Sequence, residues 1–181
     1  MRAYGRTYGL PVIITNCTNN YGSHQFPEKL IPLVVLKALE GRATPLYGDG
    51  LHVRDWLHVE DHVDGLVAVL FKGAPGETYV FGGESERTNL AVIEMICAIM
   101  DRLRPGNAPH RRLIEHVADR LGHDRRYAMD IRRTIAALGW RPTTRFDAGL
   151  EATVRWYLDN LAWCRRVRDG SYRGERLGLP S

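Results

Sequence analysis

Four residues near the start of the chain, Val12-Ile13-Ile14-Thr15, restrict the fold more than any other segment. They are β-branched throughout and apolar but for the last, the pattern of a strand buried on both faces in a parallel sheet. Such a strand needs neighbours on either side. Before it, Arg2 to Tyr8 read as the last turns of a helix closed by Gly9, where a glycine takes the left-handed conformation. After it, Pro27 is expected to open a helix to about Glu40, with Leu30, Leu33, Val34, Leu36 and Leu39 on its apolar side and Gly41 ending it. Between strand and helix lies "TNCTNNYGSHQFPEKLIP", Thr15 to Pro32. Polar groups packed that densely behind a strand mark a ligand site.

Further along, "TPLYGDGLHVRDWLHV" reads as two short strands around a Gly-Asp-Gly turn, hairpin-like or loop-crossing. From Glu60 to Phe71, Val63, Leu66, Val67 and Leu70 fall at helical spacing, and Glu60 and Asp61 suit the positive end of that helix. "ETYVFGG" is a further buried strand, and Asn89 is placed to cap a helix from Leu90 to Leu103 whose core stripe is Ile93, Ile96, Cys97 and Met100. A short helix is expected over Ile131 to Leu138, stopping at Gly139, and a long one over Phe146 to Val167. The alternation is that of an α/β fold with parallel strands joined to a smaller mixed domain.

Composition narrows the classes. The 181 residues, 44% hydrophobic, suffice for one domain with a real core. A net charge of +4 is too small to point to nucleic acid, although arginines crowd "HRRL", "DRRYAMDIRR" and "CRRVRDGSYRGER". Cys17, Cys97 and Cys164 are distant and odd in number, as expected of reduced thiols in a cytoplasmic protein. No signal peptide and no membrane span are expected.

The blocks "YGLPVIITNCTNNYGSHQFPEKLIP", "RDWLHVEDHVDGL", "GETYVFGGESERTNL" and "ADRLGHDRRYAMD" resemble, in this order, the dTDP-glucose 4,6-dehydratases, extended short-chain dehydrogenases that act on nucleotide sugars. "RDWLHVEDH" is shared in outline with many nucleotide-sugar epimerases and decarboxylases; the Asn-Cys-Thr-Asn-Asn-Tyr-Gly and Asp-Arg-x-Gly-His-Asp-Arg-Arg-Tyr blocks are more particular. The resemblance implies NAD as cofactor, a dTDP-hexose as substrate, and conversion of dTDP-glucose to dTDP-4-keto-6-deoxyglucose by oxidation, loss of water and reduction. It also implies a homodimer, with no nucleic acid or membrane as partner. By fold, residues 1–42 and about 58–83 would belong to the NAD-binding Rossmann part, about 43–57 and 84–170 to the nucleotide-sugar part, and 171–181 to a tail.

Residue by residue, Asn19 resembles the asparagine that binds the sugar nucleotide, and Asn20 its neighbour on the nicotinamide side. Lys29 and Leu30 resemble a pair touching the nucleotide, and Pro45, Leu46 and Tyr47 the wall of the base pocket. Arg54 resembles the diphosphate arginine, Asn89 an asparagine near the nucleotide, and Arg120 and His123 further diphosphate contacts in a loop with Asp119, Leu121 and Gly122. Leu121 departs from the proline usual in that loop. The family's Tyr-x-x-x-Lys, acidic pair and glycine-rich NAD loop do not occur in the 181 residues. They are expected upstream of Met1, which implies a C-terminal portion with no catalytic residue, inactive alone and poorly soluble. Two alternatives stay open: a stand-alone nucleotide-sugar-binding module, and half of a related epimerase or decarboxylase.

Taken singly, each residue also has a plainer role. Asn19 and Asn20 could cap a turn, Tyr47 could be a half-buried strand residue, and Arg54 could pair with Asp55 at the surface. His58 and His62 stand four apart, but a strand-to-helix junction takes His58 off the face a zinc pair needs, so no metal is expected.

Overall fold

The computed structural model describes residues 1–168. In chain order its elements are α1 (Arg2–Tyr8), β1 (Ile14–Cys17), β2 (Asn19–Tyr21), α2 (Leu30–Leu39), β3 (Thr44–Tyr47), β4 (Val53–His58), α3 (Val59–Lys72), β5 (Thr78–Phe81) and β6 (Glu86–Thr88). There follow α4 (Asn89–Leu103), a 3-10 turn (His110–Leu113), β7 (Ile114–Val117), β8 (Arg126–Tyr127), α5 (Arg132–Leu138), α6 (Phe146–Asp159) and α7 (Leu161–Arg168). The chain forms two compact units, one of Met1–Tyr21, His52–Arg87 and Asp124–Gly149, the other of Gly22–Leu51, Thr88–His123 and the residues from Leu150 on.

The first unit is built on parallel strand pairs. β1 pairs with β5 from Ile14 opposite Thr78 to Cys17 opposite Phe81. β2 pairs with β4, Asn19 opposite Trp56 and Asn20 opposite Leu57, and β4 also pairs with β6 and with β8. The strand expected at Val12–Thr15 therefore starts two residues later and lies half-buried rather than covered on both faces. Its register is set by β5: Gly76 donates to the Val12 carbonyl, and the ladder opens only where Ile14 N–H meets Glu77 O. The core here is Leu57, Val69, Tyr79, Phe81, Ile131, Leu138 and Trp140.

α3 turns toward its unit with Asp61, Gly65 and Val69, and its apolar series Val63, Leu66, Val67 and Leu70 is exposed. Asp61 leaves the expected dipole role for a tighter one. Its buried carboxylate accepts the Thr143 hydroxyl at 2.8 Å and the Thr143 and Thr144 N–H groups at 3.2 and 3.0 Å. Burial pushes that carboxyl's pKa up, but the hydrogen bonds outweigh it and hold the group below its ordinary value. Asp55 is likewise no surface ion-pair partner: it is buried and accepts Gly83 N–H at 2.9 Å and Ser85 N–H at 2.7 Å.

In the second unit α2 packs on α4, burying Ile31, Val34 and Val35 with Val92, Ile93, Ile96 and Met100. α2 begins at Leu30, three residues after Pro27. Its own Pro32 sits in the first turn, where a missing N–H costs nothing. β3 and β4 do not form a hairpin; β3 runs parallel to β7, Tyr47 opposite Val117. The cap of α4 is Thr88, whose hydroxyl accepts Ala91 N–H at 3.1 Å, with Asn89 as the first helical residue. The long C-terminal helix is two helices, broken at Asn160, whose side chain donates to Trp156 O at 2.8 Å. Val167 lies inside α7, and the expected tail 171–181 lies outside the described residues.

Candidate functional site

Loops leaving the C-terminal ends of parallel strands are where α/β folds hold ligands, and the second unit has two side by side. Gly48 follows β3 at φ 58 and donates to Val117 O at 2.9 Å, while His116 Nδ1 bonds Gly48 O at 2.8 Å. A Cβ on Gly48 would meet the Asp119 carboxylate at 3.0 Å, so the close approach of the two loops needs glycine there. Onto this frame the second loop folds back. Asp119 Oδ1 accepts the Arg120 N–H at 2.8 Å and lies 2.7 Å from His123 Nδ1. The Arg120 guanidinium stands over the Tyr47 ring, 4.2 Å from its centroid, and the His123 ring meets Tyr47 edge-on at 6.4 Å. A cation held over an aromatic face contributes about 0.5–1 kcal/mol at an exposed site.

β3 alternates, so Pro45 and Tyr47 face one way and Leu46, 1% exposed, faces the core. Only the first two can offer side chains to a ligand. Leu90 N–H donates to Gly50 O at 3.0 Å, which ties the start of α4, and with it Asn89, to the same loop. Gly122 has φ 68, and Leu121 is fully exposed beside it. Pro45, Tyr47, Asn89, Asp119, Arg120 and His123 thus share one end of the unit. Lys29 pairs with Glu28 at 2.5 Å and Leu30 opens α2.

In the first unit Asn19 and Asn20 form β2 beside β4, which carries Arg54. Arg54 Nη1 donates to Val53 O at 2.7 Å. Asn20 Nδ2 donates to Thr18 O at 3.1 Å, and its Oδ1 lies 2.8 Å from His62 Nδ1. Burial holds His62 below the usual histidine range, so the ring is neutral at neutral pH. It also raises the Cys17 thiol, an effect partly offset by a hydrogen bond from Asn20. The other histidine of the spaced pair, His58, caps α3, its Nδ1 accepting Glu60 N–H at 3.4 Å. His62 is the residue that sequence reasoning underrated: its partner lies 42 positions away, and spacing within "HVEDH" gives no sign of it.

For a dinucleotide, these residues suit the nicotinamide end, where amides and a neutral imidazole bring no charge of their own to oppose hydride movement. They do not suit its phosphates, because no glycine-rich strand-to-helix loop occurs in the 181 residues.

Residues 1–153 match the family model described as GDP-mannose 4,6 dehydratase. A dTDP-glucose 4,6-dehydratase of Escherichia coli is 53% identical over 183 residues, covering 99% of this chain and 51% of that protein. Among solved structures, the dTDP-glucose 4,6-dehydratase of Bacillus anthracis in complex with NAD superposes with a TM-score of 0.82 at 48% identity, covering 92% of this chain and 50% of that one. The dTDP-glucose 4,6-dehydratase of Streptomyces venezuelae, also with NAD bound, gives 0.84 at 46%, covering 92% and 49%. The chain therefore spans about half the length of the relatives it matches.

Proposed function

Because this chain belongs to the GDP-mannose 4,6 dehydratase family, we propose that it carries the nucleotide-sugar-binding portion of a dTDP-glucose 4,6-dehydratase. The observation that carries the reading is the Arg120 guanidinium poised 4.2 Å over Tyr47, on a loop that Asp119 locks to both Arg120 N–H and His123. An aromatic face with Pro45 beside it offers a surface for a planar base. A permanently charged, planar fork next to it suits a diphosphate, and His123, held through Nδ1 by Asp119, stands on the same loop. Arg54 is assigned to the diphosphate as well, Asn19 to the sugar, Asn89, Lys29 and Leu30 to the nucleotide, and Asn20 to the nicotinamide side of the cofactor. Leu46 supports the pocket from the core, and Leu121 and Gly122 shape the loop.

NAD, when bound, supplies the acceptor and donor of hydride. The residues of this chain bind and orient; none of those assigned here moves the proton of a sugar hydroxyl. With neither Tyr-x-x-x-Lys nor a glycine-rich NAD loop in the 181 residues, we propose that the chain by itself binds without turning over. Rate enhancement needs base, cofactor and sugar held together. We divide it as expected from the sequence, 1–42 and about 58–83 to the cofactor fold, about 43–57 and 84–170 to the nucleotide sugar. Three free thiols support the cytoplasm as its compartment, and among the described residues no helix is long and apolar enough to cross a membrane. A homodimer is proposed by likeness to the family.

Calorimetric titration with dTDP-glucose and with UDP-glucose tests the assignment, and incubation with dTDP-glucose and NAD tests the silence. The expected result is a heat for dTDP-glucose, a weaker one for UDP-glucose, and no keto-sugar. Tighter binding of UDP-glucose would instead support an epimerase or decarboxylase relative, and formation of the keto-sugar by the pure chain would overturn the division of labour.

A further inference from the structure

The side-chain amide of Asn20 is gripped by three groups: the Thr18 carbonyl at 3.1 Å from Nδ2, the Cys17 thiol, and His62 Nδ1 at 2.8 Å from Oδ1. A carbonyl only accepts, so the amide nitrogen has to face Thr18 and the oxygen has to face the imidazole. The amide oxygen also only accepts, so the neutral His62 ring must carry its proton on Nδ1. We propose that His62 is the positioning residue of Asn20: its Nδ1–H stops the amide from turning over and so fixes which end a ligand meets. The identity of that ligand rests on the functional reading above; the positioning does not.

The imidazole is itself held from several segments. It lies 5.5 Å from the Phe81 ring, tilted by 50°. Phe81, fully buried in β5, reaches that place because Gly65 leaves room, since a Cβ there would come within 2.5 Å of Phe81 Cε1. Trp140 closes the far side, edge-on to Phe81 at 4.8 Å, its Nε1 donating to Asp61 O at 2.9 Å. Backbone and rings therefore fix the donor before any ligand arrives. A half-turn of the amide would exchange its donor and acceptor ends, placing like against like at whatever Asn20 contacts.

The test is heteronuclear NMR on the 15N-labelled chain as it stands. A long-range proton–nitrogen spectrum at neutral pH is expected to show His62 as the Nδ1–H tautomer; the Nε2–H tautomer would overturn the proposal, and this needs no variant. His62→Asn puts an amide donor where Nδ1 stood and should leave the Asn20 side-chain signals and their solvent exchange near wild type. His62→Gln puts it at the Nε2 position, and exchange there should rise about tenfold, the loss of one net hydrogen bond. Equal exchange in the two variants would also overturn it. The tautomer and the exchange rates are read without any ligand, so they stand or fall separately from the assignment of Asn20 to the nicotinamide side.

Discussion

α3 and α4 are helices of 14 and 15 residues with apolar series of the same helical period, yet the two series meet opposite fates. In α4, Ile93, Ile96, Cys97 and Met100 are all buried. In α3, Leu70 is 77% exposed and Phe71 79%, while an aspartate and a glycine face inward. Periodicity establishes that each segment is a helix; it does not say which arc its own unit covers. On α3 the inward arc is chosen by specific needs, Asp61 to hold the Thr143–Thr144 backbone and Gly65 to admit the Phe81 ring. On α4 it is chosen by volume alone.

That contrast can be broken by mutation. Ile96→Ala should have the largest effect, about 2–5 kcal/mol of stability lost through lost burial and the cavity left behind, read by denaturant unfolding. Asp61→Ala should cost about 1–3 kcal/mol through the Thr143 and Thr144 amides it orphans, a loss that none of the exposed residues Val63, Leu66, Val67 and Leu70 would match. Thr88→Ala should cost about 0.5–2 kcal/mol and Asn89→Ala less, because only the threonine hydroxyl caps α4. Leu70→Ala should change stability by no more than about 0.5 kcal/mol; a loss as large as that of Ile96→Ala would show that its arc is covered.

A pH series sharpens the same comparison, since the groups with inward, specific roles on α3 titrate. His62 has a lowered folded pKa, so its contribution is complete above the ordinary histidine value of 6.5 and is lost as pH falls from there through the folded value. The carboxyl of Asp61 is also lowered, so its contribution holds above 3.8 and is lost as pH falls through its folded value. Wild type should therefore lose stability in two acid steps. His62→Asn should lack the upper one; an unchanged upper step would assign it to another group.

Much of the architecture was legible where a residue's own backbone demands decide. Gly9 and Gly139 end their helices in the left-handed region, both at φ 67, as the positions of those glycines imply. β5 and the α4 stripe follow from local pattern, although β5, expected to be buried throughout, buries only Tyr79 and Phe81. What escaped depends on partners distant in sequence. β1 is shifted by two because pairing with β5 sets where its ladder begins. α2 starts at Leu30, so Pro32 and not Pro27 occupies its first turn. Within the candidate site, resemblance named Tyr47, Arg120 and His123, and the structure adds how they are held: a glycine that admits Asp119 and a carboxylate that fixes both neighbours. It also sets Leu46 apart from Pro45 and Tyr47, a strand alternation that a list of adjacent residues hides.

The most direct test of the nucleotide-sugar assignment is the affinity of the chain for dTDP, by calorimetry, before and after Arg120→Ala. A charge-assisted contact of about 1.5–3 kcal/mol predicts that binding weakens by roughly 10-fold to 150-fold, with Arg120→Lys recovering only part of it. Unchanged affinity in Arg120→Ala would contradict the account, as would a wild-type chain that gives no heat with dTDP.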